Sequence, residues 1–300
     1  MRVVFLGNHT VGVKALEAID QSDEITGVVA HPPDPEDGVR YLSVHDFAKA
    51  RAWPVVRGKG SGAEVDAFVR AAAPDLIWVT DYRYLLPPSL LSTAPLGAVN
   101  LHPSLLPRYR GRAPINWAIL NGETTLGLTA HLIDEGVDTG DIITQARYDL
   151  DQGEDVGDAL RKLYPLYAEV TRHVLACFRA GSVPRLKQDD SQATVFLRRK
   201  PEDGRIDWAR PASAVVNLVR ATAAPYPGAF TTLAGCKLIV WRAQLEAGSS
   251  ARGAPPGAVL SVSDGRVVVS CGEGAAALLK TELEPAQREL RLAVGSVLGR

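Results

Sequence analysis

The chain has almost no excess charge of either sign. Its 33 basic and 34 acidic residues leave a formal net charge of −1. That excludes a global attraction to a polyanion, so nucleic-acid binding would need a local basic patch. Cysteine is scarce as well. Cys177, Cys236 and Cys271 are scattered and form no C-x-x-C pair, which argues against a disulfide framework or a structural zinc site and fits a reducing cytosol. A long apolar run is also missing. Met1-Arg2-Val3-Val4-Phe5-Leu6-Gly7 is too short for a signal peptide, and nothing approaches the roughly 20 apolar residues of a membrane span. The expectation is a soluble, cytoplasmic protein without a membrane partner. What is present is ample apolar material: 300 residues at 46% hydrophobic content can bury a large core, in two domains rather than one.

Apolar runs at 2–7, 25–30, 54–56 and 75–80 read as short strands. Between them lie helical spacings from Val11 to Ile19, Val44 to Arg51 and Ala63 to Ala72. Strand and helix alternating over short connections imply right-handed crossovers and a mostly parallel sheet. Leu96–Leu101 forms a further strand, and 126–133 and 142–150 two more, flanking a turn-rich D-E-G-V-D-T-G-D segment. A long amphipathic helix follows from Val156 to Phe178, ended by Gly181-Ser182-Val183-Pro184. Beyond Asp189 the character changes to one helix (212–221) and short strands at 229–233, 237–245, 258–262, 266–270 and 276–281. With Gly/Pro turns between them, these suggest a small barrel.

The most informative stretch is V-N-L-H-P-S-L-L-P-R-Y-R-G, Val99 to Gly111. Alternate residues of a strand share a face, so Asn100 and His102 project side by side at a strand end, above a loop carrying Arg108, Arg110 and Arg112. Taken alone, this is equally a water-capped strand end. Asp138, in the loop Gly136-Val137-Asp138-Thr139-Gly140 between two strands of the same sheet, supplies a third member. A carboxylate beside an imidazole raises its pKa and fixes its orientation. The three make an amide oxyanion donor, a histidine acid or base, and a tuning carboxylate, suited to acyl transfer. Asp134, Asp138 and Asp141 fail the calcium-loop template, so no metal is expected. Gly7-Asn8-His9-Thr10-Val11-Gly12 lacks the second glycine of a dinucleotide fingerprint, which disfavours NAD, although Asn8 and His9 can still face a ligand. The three loop arginines read either as a phosphate patch or as a solvated loop. His131 reads as a core or strand-end histidine, and His31 as a residue bordering a cleft.

Asn100-x-His102, Ser104-Leu105-Leu106-Pro107-x-Tyr109-Arg110-Gly111 and Asp138-Thr139-Gly140 together resemble the formyltransferases that use 10-formyltetrahydrofolate. Ala113-Pro114-Ile115-Asn116-Trp117, Pro201-Glu202-Asp203-Gly204 and Pro225-Tyr226-Pro227-Gly228 extend the resemblance along the chain. It implies an α/β chain: a Rossmann-like, mostly parallel sheet domain (1–190), a linker (191–203) and a smaller OB-like β-barrel domain (204–300). It implies 10-formyltetrahydrofolate as co-substrate, with the pterin against the backbone of Tyr84, Leu85 and Leu86 and of Asp134, Glu135, Gly136, Val137 and Asp138. Arg112 matches a folate-contacting arginine. Asn8, His9, Ser104 and Asn116 are the candidate contacts of the acceptor. Arg110-Gly111-Arg112-Ala113-Pro114 and Asn116-Trp117 are most similar to enzymes that formylate nucleotide-linked amino sugars, such as UDP-4-amino-4-deoxy-L-arabinose. Methionyl-tRNA formyltransferases carry a basic loop where residues 31–39 here hold three acids and no Lys or Arg, a poor tRNA clamp. A small amine is therefore expected as acceptor and nucleic acid is not. Formylation of methionyl-tRNA and of a hydroxylated ornithine remain the alternatives, and the oligomeric state is left open.

Overall fold

The computed structural model describes residues 1–32, 41–59, 62–247, 253–284 and 292–299. Most of the acidic segment 31–39 lies outside the described residues. The chain divides into two compact units, the first comprising Met1–Pro114, Thr125–Tyr148 and Leu160–Leu197. It begins β1 (Arg2–Gly7), α1 (His9–Ile19), β2 (Glu24–Ala30), α2 (Val44–Ala50), β3 (Val55–Arg57), α3 (Ala63–Ala72), β4 (Leu76–Thr80), α4 (Pro88–Leu91) and β5 (Ala98–His102). The chain continues through β6 (Arg110–Gly111), α5 (Pro114–Leu120), β7 (Thr125–Leu132), β8 (Ile142–Asp149), α6 (Val156–Arg179) and β9 (Val195–Phe196).

The seven-stranded sheet has the order β3-β2-β1-β4-β5-β7-β8. Strands β3, β2, β1, β4 and β5 pair in parallel, while β7 is antiparallel to β5. Parallel strands covered on both faces carry continuous apolar runs, and Val3 to Leu6 and Leu76 to Trp78 are fully buried. One face packs Val4, Leu6, Val29, Ile77 and Val79 against Val65 and Val69 of α3 and Leu90 of α4. The strand order reverses between β1 and β4, the place where open α/β sheets leave a crevice for ligands.

The second unit comprises Ile115–Thr124, Asp149–Ala159 and Arg198–Arg300. Helix α7 (Ala212–Thr222) precedes β10 (Ala229–Leu233), β11 (Cys236–Leu245), β12 (Val259–Ser263), β13 (Arg266–Ser270) and β14 (Ala275–Glu284). The strands form an antiparallel sheet in the order β10-β11-β14-β13-β12. Val215, Val216 and Val219 of α7 join Val240, Val269 and Leu278 of the sheet in one core.

Residues 115–124 and 149–159 belong to this second unit, not to the expected 1–190 domain. Buried polar groups hold them there. Asn116 Nδ2 donates to the Ala221 carbonyl at 2.7 Å, and the buried Arg220 guanidinium donates to the carbonyls of Glu154 (2.7 Å) and Asp151 (2.9 Å). The segment 191–203 is structured where a linker was expected: β9 pairs in parallel with β6, and Pro201–Gly204 forms a 3-10 turn. Among the described residues, no helix is long and apolar enough to cross a membrane.

Candidate active site

The register of β5 against β7 builds the site. Asn100 lies opposite His131, and His102 opposite Thr129. Directly opposed residues of an antiparallel pair share a face, as do residues two apart on one strand. All four side chains therefore rise from the same side of the sheet. The 133–141 loop returns over that side and brings Asp138 with it. Leu132 N–H donates to Asp141 O at 2.9 Å, and at Gly140 an added Cβ would fall 1.8 Å from Leu132 O, so only glycine lets the loop turn so tightly.

Asp138 itself has φ +55°, a left-handed backbone that is strained for a non-glycine residue and common at functional sites. Its Oδ2 accepts from Gly111 N–H at 2.9 Å and lies 3.5 Å from His102 Nδ1. Its Oδ1 accepts from Asn100 Nδ2 at 3.3 Å and lies 3.5 Å from His131 Nε2. Burial alone would raise the carboxyl pKa. The His102 charge, the bond from His131 and the Gly111 N–H outweigh it and hold Asp138 well below the usual carboxylate range.

Hydrogen-bond accounting fixes the remaining polarity. His102 Nε2 lies 2.8 Å from Tyr109 O, an acceptor, so Nε2 carries a hydrogen while Nδ1 faces the carboxylate. His131 Nδ1 donates to Leu132 O at 2.7 Å. Its Nε2 is 3.2 Å from Asn100 Nδ2: as a lone pair it accepts from the amide, and as N–H it donates to Asp138. The amide and both imidazoles are thus partnered within the protein through mostly long bonds, of the kind that catalytic groups exchange for substrate contacts.

The loop after β5 is held from beneath. Buried Thr129 Oγ1 donates to Ser104 O (2.6 Å) and accepts from Leu106 N–H, and Gln145 Nε2 donates to Leu106 O (2.8 Å). Ser104 Oγ, an expected acceptor contact, donates to Arg108 O at 2.8 Å within its own loop. Asn116, likewise expected as an acceptor contact, belongs to the second unit and spends its buried amide on Ala221. Arg110 fits neither reading of the arginine loop, because it is buried and bonds Gln188 and Asp190.

The segments expected to face the pterin suit a flat, partly apolar ligand. Leu85 is 70% and Val137 46% exposed, two of the large apolar side chains left open, and Glu135 and Gly136 between turns are exposed too. Asp134 Oδ1 accepts from Gly136 N–H (3.0 Å) and Thr139 Oγ1 (2.6 Å), shaping that loop. Arg112 Nη2 donates to Arg83 O at 2.8 Å, beside Tyr84 and Leu86.

A polar cluster sits at the carboxyl ends of β1, β2 and β4. His9 (φ +61°) pairs with Asp81 at 2.5 Å and stacks on Tyr41. Asn8 bonds His31, whose ring lies against Tyr82 and Tyr84. His31, read as a cleft-border residue, is buried within this cluster.

His131 and Gln188 are the site residues that sequence reasoning passed over. The signal for His131 was its place on a strand opposite Asn100, visible only once β7 is known to run antiparallel to β5.

An amide, two imidazoles and an ionised carboxylate on one sheet face make a site that stabilises developing charge and carries a proton, the equipment of an acyl-group transferase. The chain belongs to the formyl transferase family: the family's "Formyl transferase" model matches residues 1–172 and its C-terminal domain model residues 198–290. Formyl-tetrahydrofolate is the co-substrate typical of that family. Solved structures share the fold. An N-formyltransferase from Helicobacter canadensis, in complex with folinic acid and dTDP-3-aminofucose, matches with a TM-score of 0.69 at 17% identity, over 93% of this chain and 98% of that one. HypX from Aquifex aeolicus matches at TM-score 0.64 and 19% identity over 94% of this chain and 45% of that one, so the chain spans less than half of HypX. Methionyl-tRNA formyltransferase from Clostridium thermocellum matches at TM-score 0.57 and 18% identity, over 83% and 95%.

Proposed function

We propose that the chain transfers the formyl group of 10-formyltetrahydrofolate to a primary amine of a nucleotide-linked amino sugar, with Asn100, His102 and Asp138 as the reacting centre. The observation that carries this reading is the approach of Asn100 Nδ2 (3.3 Å) and His102 Nδ1 (3.5 Å) to the two oxygens of one carboxylate, Asp138, over one sheet face. The amine nitrogen bonds the formyl carbon while the bond from that carbon to N10 breaks, and one proton passes from the amine to the departing nitrogen. Asn100 Nδ2 donates to the oxygen as charge builds on it. His102 carries the proton, and Asp138, kept ionised by its surroundings, holds the imidazole in place. The donor supplies an activated carbonyl. The exposed residues 134–137 and the apolar Leu85 are the surfaces that fit its ring.

The acceptor reading is supported by the likeness to the Helicobacter canadensis enzyme along nearly the full length of both chains, with a nucleotide sugar and a folate in that complex. It is supported too by the R-G-R-A-P and N-W wording at 110–117. The test is a panel of UDP-, dTDP- and GDP-linked amino sugars, hydroxyornithine and charged initiator tRNA, each assayed with 10-formyltetrahydrofolate for release of tetrahydrofolate. Turnover with one or more nucleotide sugars is expected. Turnover confined to tRNA or hydroxyornithine would overturn the acceptor assignment.

A further inference from the structure

We propose that Gln188 is a positioning residue for formyl transfer, one amide that clamps the Asp138 loop to the strand supplying Gly111 N–H and Tyr109 O. The proposal rests on the reading of Asn100, His102 and Asp138 as the reacting centre. Gln188 lies beyond α6, fifty residues from Asp138 in the chain, in an irregular stretch that no sequence pattern singles out. Its Nε2 lies 2.8 Å from both Asp138 O and Gly140 O. Both are carbonyls, so the atom facing them must be the NH2. Its Oε1 accepts from Arg110 Nε (3.1 Å) and Nη2 (2.8 Å), which can only donate. Neither end of the amide can be turned round. All four hydrogen-bonding positions that these neighbours define are met by one side chain.

What the clamp joins explains its use. Asp138 is held in a left-handed backbone that few non-glycine residues adopt, aspartate more readily than most. The bond to its own carbonyl, and the one to Gly140 two residues on, anchor this part of the loop by its main chain, beside the Leu132 N–H to Asp141 O bond. Arg110 stands between Tyr109, whose carbonyl takes His102 Nε2, and Gly111, whose N–H holds Asp138 Oδ2. Arg110 is buried, and its place is set by Gln188 and by the exposed Asp190. Gln188 therefore fixes the carboxylate from behind and the two main-chain groups that orient carboxylate and imidazole from the front. It touches no reacting atom. Supporting groups of this kind are commonly worth ten- to a hundredfold in activity at metal sites, and the same geometric logic applies to a carboxylate and imidazole.

Two variants separate the halves of the amide. Gln188→Glu keeps an acceptor for Arg110 and loses the donor, and Gln188→Leu loses both. With the nucleotide amino sugar turned over fastest by the wild type, each should lower kcat at least about tenfold while far-UV circular dichroism and the melting temperature of the chain stay close to wild type. The decisive reading is non-additivity. A residue that acts through Asp138 has nothing left to position once Asp138 is changed, so Gln188→Leu placed on Asp138→Asn should alter kcat by less than about twofold, whereas a general loss of structure would multiply. Wild-type kcat in Gln188→Glu, or full multiplication of the two defects, would overturn the proposal. Wild-type kcat in Asp138→Asn would overturn the reading of the reacting centre itself, and an impaired Asp138→Asn beside an unimpaired Gln188→Leu would remove the clamp alone.

Discussion

His31 should make the protein acid-sensitive between pH 6.5 and about 4. Its ring is 6% exposed, packed between Tyr82 (4.9 Å) and Tyr84 (5.3 Å). Nε2 accepts from Arg83 N–H at 3.1 Å, so in the neutral ring the hydrogen sits on Nδ1 and the Asn8 side chain must turn its oxygen toward it. Protonation would put a second hydrogen against a backbone N–H. Burial, with Arg83, His9 and Arg112 adding to it against an opposing Asp81, lowers the pKa from 6.5 to about 4. The sign follows from proton counts: between these values the unfolded chain binds a proton that the folded chain refuses. The stabilisation is therefore full above pH 6.5 and is lost as pH falls toward 4. Linkage gives a loss of about 2 kcal/mol between pH 7.5 and 5.0, approaching roughly 3 kcal/mol at lower pH. His31→Gln keeps an acceptor for Arg83 N–H and should lack this loss. Unfolding free energies of both proteins at the two pH values give the difference of slopes, and the ring carbon resonance of His31, assigned by its disappearance in His31→Gln, gives the midpoint directly. A midpoint near 6.5, or parallel acid slopes in the two proteins, would refute the argument.

Asn100→Ala and His102→Ala should each lower kcat by about 10²–10³, or roughly 3–4 kcal/mol, with KM changed far less, because an oxyanion donor acts in the transition state; steady-state kinetics decide this. His131→Phe removes one of the two partners of Asn100 Nδ2 and should cost about tenfold in kcat while 5-formyltetrahydrofolate binding, read by calorimetry, is kept. Gly140→Ala drives a methyl into Leu132 O and should lower stability by roughly 1–3 kcal/mol and abolish turnover, checked by thermal melts beside activity. Arg220→Met removes the donors to the carbonyls of Glu154 and Asp151, of which the Asp151 carbonyl keeps the Glu154 N–H, and should cost about 1–3 kcal/mol in unfolding free energy.

Much of the fold was legible because its signals are local. Helix α3 spans the expected Ala63–Ala72, with acidic Glu64 and Asp66 in its first turn and Arg70 in its last. The buried central strands announce themselves as unbroken apolar runs, and Asn100 and His102 stand out as polar exceptions at the end of one. The losses are non-local. Helix α4 is four residues long and α5 seven, too short for a period to show. Strands β6 and β9 are two residues each and exist only because Arg110–Gly111 and Val195–Phe196 meet across 85 residues of chain. His131 is the buried strand-end histidine that its sequence context suggests, but its place beside Asn100 depends on the antiparallel register with β5, and periodicity on β7 says nothing of that partner. For Ser104 and Asn116 what side-chain chemistry does not announce is the bond each donates to a main-chain carbonyl, Arg108 O and Ala221 O.

The interleaving of the two units has a consequence for how the chain can be cut or recombined. Because 115–124 and 149–159 leave the first unit to join the second, neither unit is a continuous piece of polypeptide. A fragment ending at 197 would carry two excursions stripped of their anchors, and one beginning at 198 would contain Arg220 with no carbonyls to hold and Ala221 with no amide to receive. Exchange of the C-terminal half between relatives is therefore not a modular graft. It has to carry two stretches of the catalytic half along with it, which ties the inheritance of the two units together.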